Sequence, residues 1–449
     1  MPRLGWLEWI VISQTALPAM MYIPGASRYR FVSRILGTVL PLIAWGAVAM
    51  SGRQVVGGRR YPAATCLGFC TIWVLLSIAH PSTNSLLSGL AEATLTIAIF
   101  CPAFWAANLV TDTRQVRRLI VILLICNGAS SLMGIAQVYQ PERFRPPNLP
   151  NLALDAIETE MTVTTADGLK YLRPAGLTDS PGAAGMAGLL ACLTGLAVAL
   201  SSVAWKTRVV SLGMALIGLA VIFYSQVRFT LIVLVVGIVV WIGLLAMRRD
   251  KRKLITLGIF TVLLAFGATG WVMRSGGSEV MKRFLTLVEE RADTVFYANR
   301  GKFVEYALTV DLIDYPLGAG IGRFGTMNSY FGDPFAPPSR GPLWCEIQIE
   351  GWILDGGAPL LLASVGAVIT AMIVATLMAL RCQDRELGYW ATVVVIFGLF
   401  NTLSCLGNMP FLSPNGLQFW VLMGALFGAD SVARRAAQKS SSPVPGVAS

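Results

Sequence analysis

Three arginines stand out because each lies where a positive charge near an apolar segment needs a partner or a ligand: Arg173, Arg228 and Arg300. Arg228 ends the short connection Ser225–Arg228 between two long apolar runs. A charged residue so close to the membrane is costly, so its presence there suggests a function. A guanidinium stays charged at any working pH and pairs its N–H groups with phosphate oxygens. If the three arginines converge, they predict a binding site for a phosphorylated lipid. The alternative for each is an anchor whose charged end reaches the headgroups.

Three carboxylates follow further along the chain: Glu346, Glu350 and Asp355. A carboxylate beside the membrane and partly removed from water can act as a general base. The alternative is a polar loop end or a cap at the start of a helix. On the residue types alone, this alternative, a polar loop end or a cap, is favoured.

Metal and nucleic-acid chemistry have little support in the sequence. The chain has one histidine, His80, and eight cysteines, most of them inside apolar runs where they resemble small buried hydrophobic residues. The net charge of +11 comes mostly from basic residues between apolar runs. Such residues determine membrane topology, so we expect no nucleic-acid partner. No nucleotide or metal motif is visible, and we expect no cofactor.

Membrane-spanning helices must position these residues. The 449-residue chain is 55% hydrophobic and only 13% charged, about half the charge expected of a soluble protein. Phe229–Met247 and Leu254–Met273 each provide about twenty uncharged residues, enough to cross a hydrocarbon core. The sequence therefore predicts an all-α polytopic membrane protein of about twelve spans. We place them near residues 6–23, 35–51, 62–79, 86–110, 119–139, 181–204, 207–224, 229–247, 254–274, 353–380, 388–408 and 415–433.

Basic residues in the short connections predict the orientation. They cluster at 114–118, 206–208, 248–253, 381–385 and 434–439. An even number of spans puts all these clusters on one side with both termini, and positive loops are typical of the cytoplasmic side. Arg28, Arg30 and Arg34 are an exception that falls on the outer side.

The chain then divides into four parts. Residues 1–274 hold spans one to nine, with an outer loop near 140–180. Residues 275–352 form a large periplasmic or outer loop, in which 280–291 and 302–314 have the pattern of amphipathic helices. Residues 353–433 hold the last three spans, and 434–449 are expected to be a disordered cytoplasmic tail. Within the large loop, Pro316–Gly325 contains glycines that let the backbone approach a ligand closely, or simply a flexible return to the membrane.

Four short motifs are spread over most of the chain. They are Gly134-Ile135-Ala136-Gln137, Arg173-Pro174-Ala175-Gly176-Leu177 with Ser180-Pro181-Gly182, Ser225-Gln226-Val227-Arg228, and Arg300 followed by Pro316-Leu317-Gly318-Ala319-Gly320-Ile321-Gly322. In this order and spacing they resemble the motifs of the O-antigen ligase and polymerase superfamily of bacterial envelope glycosyltransferases, and the last motif is the most specific.

The resemblance implies a GT-C-like membrane fold and an inverting transfer of a glycan from undecaprenyl diphosphate. It also implies the bacterial cytoplasmic (inner) membrane, with the active site facing the periplasm. Arg228 and Arg300 would bind the diphosphate, Arg173 would assist at the rim, and Pro316, Gly318, Gly320 and Gly322 would position the loop. The expected partners are the lipid-linked oligosaccharide, membrane lipids, and a chain-length regulator or export protein.

One departure concerns the base. Ligases of this family carry a histidine about nine residues ahead of an acidic residue that precedes glycine, which Asp355-Gly356-Gly357 resembles. That spacing falls on Glu346, and Glu350 is the alternative general base. The departure favours a polymerase of O-antigen, capsule or exopolysaccharide units, with ligase-type transfer as the alternative.

Two other function classes remain. A polysaccharide-lipid flippase or transporter predicts charges near the bilayer midplane and matching halves, whereas the charges here concentrate at the outer face. A non-catalytic envelope assembly partner predicts that the outer arginines are dispensable.

Overall fold

The computed structural model describes residues 4–23, 25–26, 29–52, 61–144, 162–164, 170–178, 180, 182–289, 294 and 296–441. These residues are helical apart from loops and one antiparallel pair of strands, Thr162–Thr164 with Lys170–Leu172. Ten of the described helices are long and apolar enough to cross a membrane. The prediction of an all-α, multi-pass membrane protein is therefore confirmed.

The principal helices are numbered in chain order. They are α1 Trp6–Ala19, α2 Arg30–Met50, α3 Ala63–Ser77, α4 Leu86–Phe100, α5 Pro102–Leu109, α6 Arg114–Tyr139, α7 Ala183–Leu200, α8 Trp205–Ser225, α9 Arg228–Met247, α10 Lys251–Glu289, α11 Gln348–Arg381, α12 Arg385–Ser404 and α13 Pro414–Ser441.

Two of the twelve predicted spans are shorter in the structure than a full crossing. The first is the 14-residue α1, which is followed by a short 3-10 turn, Met20–Tyr22. The third is the 15-residue α3, which is apolar but short. The predicted fourth span consists of α4 and α5, which meet at Cys101.

Two predicted boundaries differ from the structure. Helix α10 has 39 residues and continues to Glu289, so the first predicted amphipathic segment of the large loop is largely an extension of a spanning helix. Helix α13 continues to Ser441, so the start of the predicted disordered tail, 434–441, is helical. Arg434 pairs with Asp430 one turn earlier at 2.8 Å, and the alanines that follow favour helix. The rest of the tail lies outside the described residues.

Close packing of α7 against α8 fixes the middle of the structure. A Cβ added to Gly218 would lie 2.5 Å from the carbonyl oxygen of Gly188, so the two helices touch through their backbones. Near the end of α8, a Cβ on Gly185 would lie 2.5 Å from Ser225 Oγ. Small residues at helix interfaces permit this approach. The packing positions the turn that leads from α8 into α9.

Helix α11 is broken at Gly357, whose φ is +66°. The Pro316–Gly322 segment fills the break: the Ala358 N–H donates to the Pro316 carbonyl at 2.9 Å, and the Ala319 N–H donates to the Leu354 carbonyl at 2.7 Å. A side chain at Gly357 would collide with Pro316. The large loop is therefore attached to a spanning helix through its backbone.

Arg34, one of the three exceptional basic residues, lies on the same side as the large loop, whereas Arg28 lies outside the described residues. Arg34, in the first part of α2, interacts electrostatically with Tyr330 of the loop. On the same side, Ser85 at the start of α4 donates to the Phe331 carbonyl at 2.6 Å. A loop contact is thus a physical reason for a basic residue at this end of α2.

The α7–α8 contact makes a stability prediction. Gly218→Ala inserts a methyl group against backbone and is expected to cost about 1–3 kcal/mol, which lowers the melting temperature of the detergent-solubilised protein. The control is Gly213→Ala on the same helix, where a Cβ meets nothing within 4 Å. Equal melting temperatures for the two variants would contradict the packing described.

Candidate functional site

A cavity of about 650 Å³ lies among α1, α6, α7, α9, α13 and the large loop. Arg173, Arg228 and Arg300 all line it, although they are far apart in sequence. The structure thus brings together the three arginines singled out in the sequence. Among the described residues that line the cavity, none carries a carboxylate.

Gln137 holds the segment that carries Arg173. Its side-chain oxygen accepts the N–H groups of Ala175 and Gly176 at 2.9 Å each, and its nitrogen donates to the Gly176 carbonyl and to the Tyr22 hydroxyl, also at 2.9 Å. Gln137 is completely buried. Gly176 has a φ of +70° and lies so close to Ser130 that a side chain would not fit. The motif that contains Gln137 and the motif that contains Arg173 therefore bind each other directly, through the Gln137 side chain and the backbone of Ala175 and Gly176.

A tight turn between α8 and α9 positions Arg228. Ser225 ends α8 by donating to the Ile222 carbonyl at 2.8 Å, and Gln226 takes a left-handed φ of +54°, uncommon for a residue with a side chain. Two residues therefore reverse the chain, and Arg228 becomes the first residue of α9. The turn thus places the Arg228 side chain at the cavity.

Arg300 lies on a short π-helical turn, Tyr297–Gly301, and forms an ion pair with Glu346. The side chain of Glu346 is 24% exposed. Glu350 is buried and its carboxylate accepts the Glu346 N–H at 2.7 Å. Glu350 thus fits the capping role at the start of α11, whereas Glu346 contacts a cavity residue. Neither carboxylate lines the cavity itself.

The electrostatics of the cavity favour an anion. Burial lowers the pKa of the Arg173 guanidinium from its ordinary value, and the like charge of Arg300 lowers it further. In the described part of the chain, the buried Nε of Arg173 has no hydrogen-bond partner. An anion between the guanidinium groups would both neutralise the repulsion and accept from this donor.

The glycine-rich segment lies beside the site and supports it without lining the cavity. Gly318, Gly320 and Gly322 have φ values of +104°, +101° and +73°, and added side chains would meet the backbone of α11, of Thr83 and of Ser88. Asp355 accepts the Gly322 N–H at 3.1 Å. These residues hold the large loop, and Asp355 is part of that support.

The cavity also contains side chains that the sequence did not single out. Six neutral amides line it: Gln226 and Asn408 lie in turns, and Gln14, Asn127, Asn415 and Gln418 lie on α1, α6 and α13. Polar groups at membrane depth are rare, so a single amide inside an apolar segment can indicate a functional residue. Nothing in the sequence indicates that they face one cavity.

A scan against protein-family models gives no match, and a search of curated proteins gives none either. The relation to the O-antigen ligase and polymerase superfamily therefore stays a prediction based on the motifs.

The Gln137 contact makes a second prediction. Gln137→Leu leaves the Ala175 and Gly176 N–H groups without acceptors, at a cost of about 1–3 kcal/mol each, and releases Arg173. We expect a lower melting temperature and a larger effect than Ser130→Ala, which removes only the bond to the Leu177 N–H at 3.1 Å. An equal or smaller effect for Gln137→Leu would contradict the account.

Proposed function

We propose that this protein is a membrane glycosyltransferase that transfers a glycan from a polyprenyl diphosphate to a sugar hydroxyl with inversion. The reaction would take place at the outer face of a bacterial cytoplasmic membrane. The observation that carries the proposal is the convergence of Arg173, Arg228 and Arg300 on one cavity, whose described lining residues include no carboxylate.

The arginines would bind the diphosphate of the donor. Guanidinium groups pair with phosphate oxygens, and this charge also stabilises the leaving group as the bond from the sugar to phosphate breaks. A lipid diphosphate is already an activated leaving group, so the arginines supply the stabilisation that this reaction needs. Arg228 and Arg300 are assigned to the diphosphate, with Arg173 at the rim.

Glu346 is the proposed general base. Its ion pair with Arg300 keeps it beside the cavity, and a diphosphate bound to Arg300 would compete for the guanidinium and release the carboxylate. The acceptor hydroxyl oxygen then attacks the anomeric carbon, its proton passes to Glu346, and polyprenyl diphosphate departs. Glu350 is less suited because its carboxylate holds a backbone N–H.

The polyprenyl tail has a direct path into the lipid. Ile232 lines the cavity one turn beyond Arg228 and is 41% exposed. Val235, Val236 and Val239 continue an exposed apolar surface along α9. A lipid whose diphosphate lies at Arg228 can therefore keep its tail against this surface.

Polymerisation of an O-antigen, capsule or exopolysaccharide unit is the preferred form of the reaction, because Glu346 falls at the spacing where ligases of the superfamily that the motifs resemble carry histidine. Deletion of the gene, followed by gel analysis of the envelope polysaccharide, tests this. Chains that stop at one repeat unit would support a polymerase, and full chains left on the lipid carrier would support a ligase. Single units trapped on the inner face would contradict the proposal and favour a flippase.

Glu346→Gln keeps the size of the side chain but removes the base. General-base catalysis contributes about 10²–10⁴-fold, so we expect a loss of that order in glycan transfer with normal protein levels. Glu305→Gln, on an exposed carboxylate of the same loop, is the control and should retain activity. Near-normal glycan chains in the Glu346 variant would exclude its assignment as base.

Arg228→Ala should abolish transfer and weaken binding of undecaprenyl diphosphate to the purified protein. Arg228→Lys keeps a positive charge but not the paired hydrogen bonds, and should lose about tenfold or more. Arg340→Ala is the control, since this exposed arginine of the large loop does not line the cavity. Full activity in the lysine variant would contradict paired phosphate recognition.

A further inference from the structure

The cavity has two chemically different regions. Arg173 lies in the segment that leads to α7, Arg228 is the first residue of α9, and Arg300 lies on the large loop. The other region consists of Gln14, Asn127, Asn415 and Gln418, which we call the amide tier. Asn127 lies near the middle of α6 and Gln418 lies inside α13, so this region reaches into the membrane-spanning part of the protein.

The amide tier has unused hydrogen-bonding capacity. Gln418 is only 4% exposed, and within the described residues its side-chain oxygen has no hydrogen-bond partner. Asn127 uses its side-chain nitrogen to donate to the Leu123 carbonyl at 2.9 Å, and Gln14 uses its own to donate to the Gly37 carbonyl at 3.1 Å. The side-chain nitrogens of Asn127 and Gln14 are thus already engaged within the protein. A buried acceptor without a partner costs about 1–3 kcal/mol, so a ligand that donates hydrogen bonds would stabilise the site.

The chemistry of this region selects among possible occupants. An alkyl chain would cover the amides without offering hydrogen bonds, which is unfavourable. A phosphate offers only acceptors and cannot donate to the unpartnered side-chain oxygen of Gln418. A sugar ring offers several hydroxyl donors and no charge. Ser130, Thr15 and Ser413 extend the same uncharged, polar surface.

We propose that the amide tier binds the sugar rings of the lipid-linked glycan, next to the diphosphate that the arginines hold. The inference rests on the proposed function and deepens it, because it assigns the carbohydrate part of the substrate to named residues. The tier would then select sugars by their hydroxyl groups. A site that hydrogen-bonds substrate hydroxyls discriminates strongly against analogues that lack them.

The test compares two ligands on the same purified protein. One is undecaprenyl diphosphate without sugar, and the other is the undecaprenyl-diphosphate glycan extracted from a strain that lacks the gene. The variants are Asn127→Leu and Gln418→Met, alone and together. Each is expected to bind the glycan-bearing lipid about tenfold more weakly, while the affinity for the sugar-free lipid changes less than about twofold.

The matched control is Asn401→Leu. Asn401 is 4% exposed and donates to the Phe397 carbonyl at 2.9 Å, one turn earlier, as Asn127 does to Leu123. It does not line the cavity, so both affinities should stay at the wild-type level. If Asn127→Leu does not fold, Gln418→Met decides alone, because methionine is close to glutamine in shape.

The outcomes separate this inference from the proposed function. Unchanged binding of the glycan-bearing lipid in the double variant, or an equal loss for both lipids, would overturn the assignment of the amide tier. In either case the arginine results stand independently. Normal binding of both lipids by Arg228→Ala would instead overturn the proposed function.

Discussion

The placement of three guanidinium groups around one cavity is the constraint on which the rest of this structure depends. Arg173, Arg228 and Arg300 surround one cavity whose described lining has no carboxylate, and the charge of Arg300 lowers the pKa of Arg173. Such an arrangement is unfavourable unless the surrounding fold holds each group or an anion joins them. Arg300 forms an ion pair with Glu346, and that pair lies beside the cavity.

The fold holds these charges largely through neutral contacts. Gln137 binds the backbone on both sides of Gly176, a two-residue turn starts α9 at Arg228, and the Pro316–Gly322 segment attaches the large loop to the broken helix α11. Because these contacts involve backbone groups and close glycine packing, they do not neutralise the arginines. The amide tier offers an uncharged surface beside the arginines.

The sequence predicts the membrane class and most of the spans, because hydropathy reports directly on the bilayer. It does not predict that α13 continues through 434–441 or that α10 continues to Glu289, since polar residues extend a helix beyond the membrane as readily as they end it. It also leaves Glu346 and Glu350 as alternatives. The structure gives them different partners, Arg300 for one and a backbone N–H for the other, which no spacing rule provides. The sequence does not predict that the amide tier shares one cavity, because its members come from three separate helices.

The most direct measurement is the structure of the purified protein with undecaprenyl diphosphate, determined by electron cryo-microscopy. If the three arginines bind the diphosphate, we expect its density between Arg173, Arg228 and Arg300. The tail should lie along α9, and Glu346 should be released from Arg300. A diphosphate bound elsewhere on the protein, with the Arg300–Glu346 pair intact, would contradict the central claim.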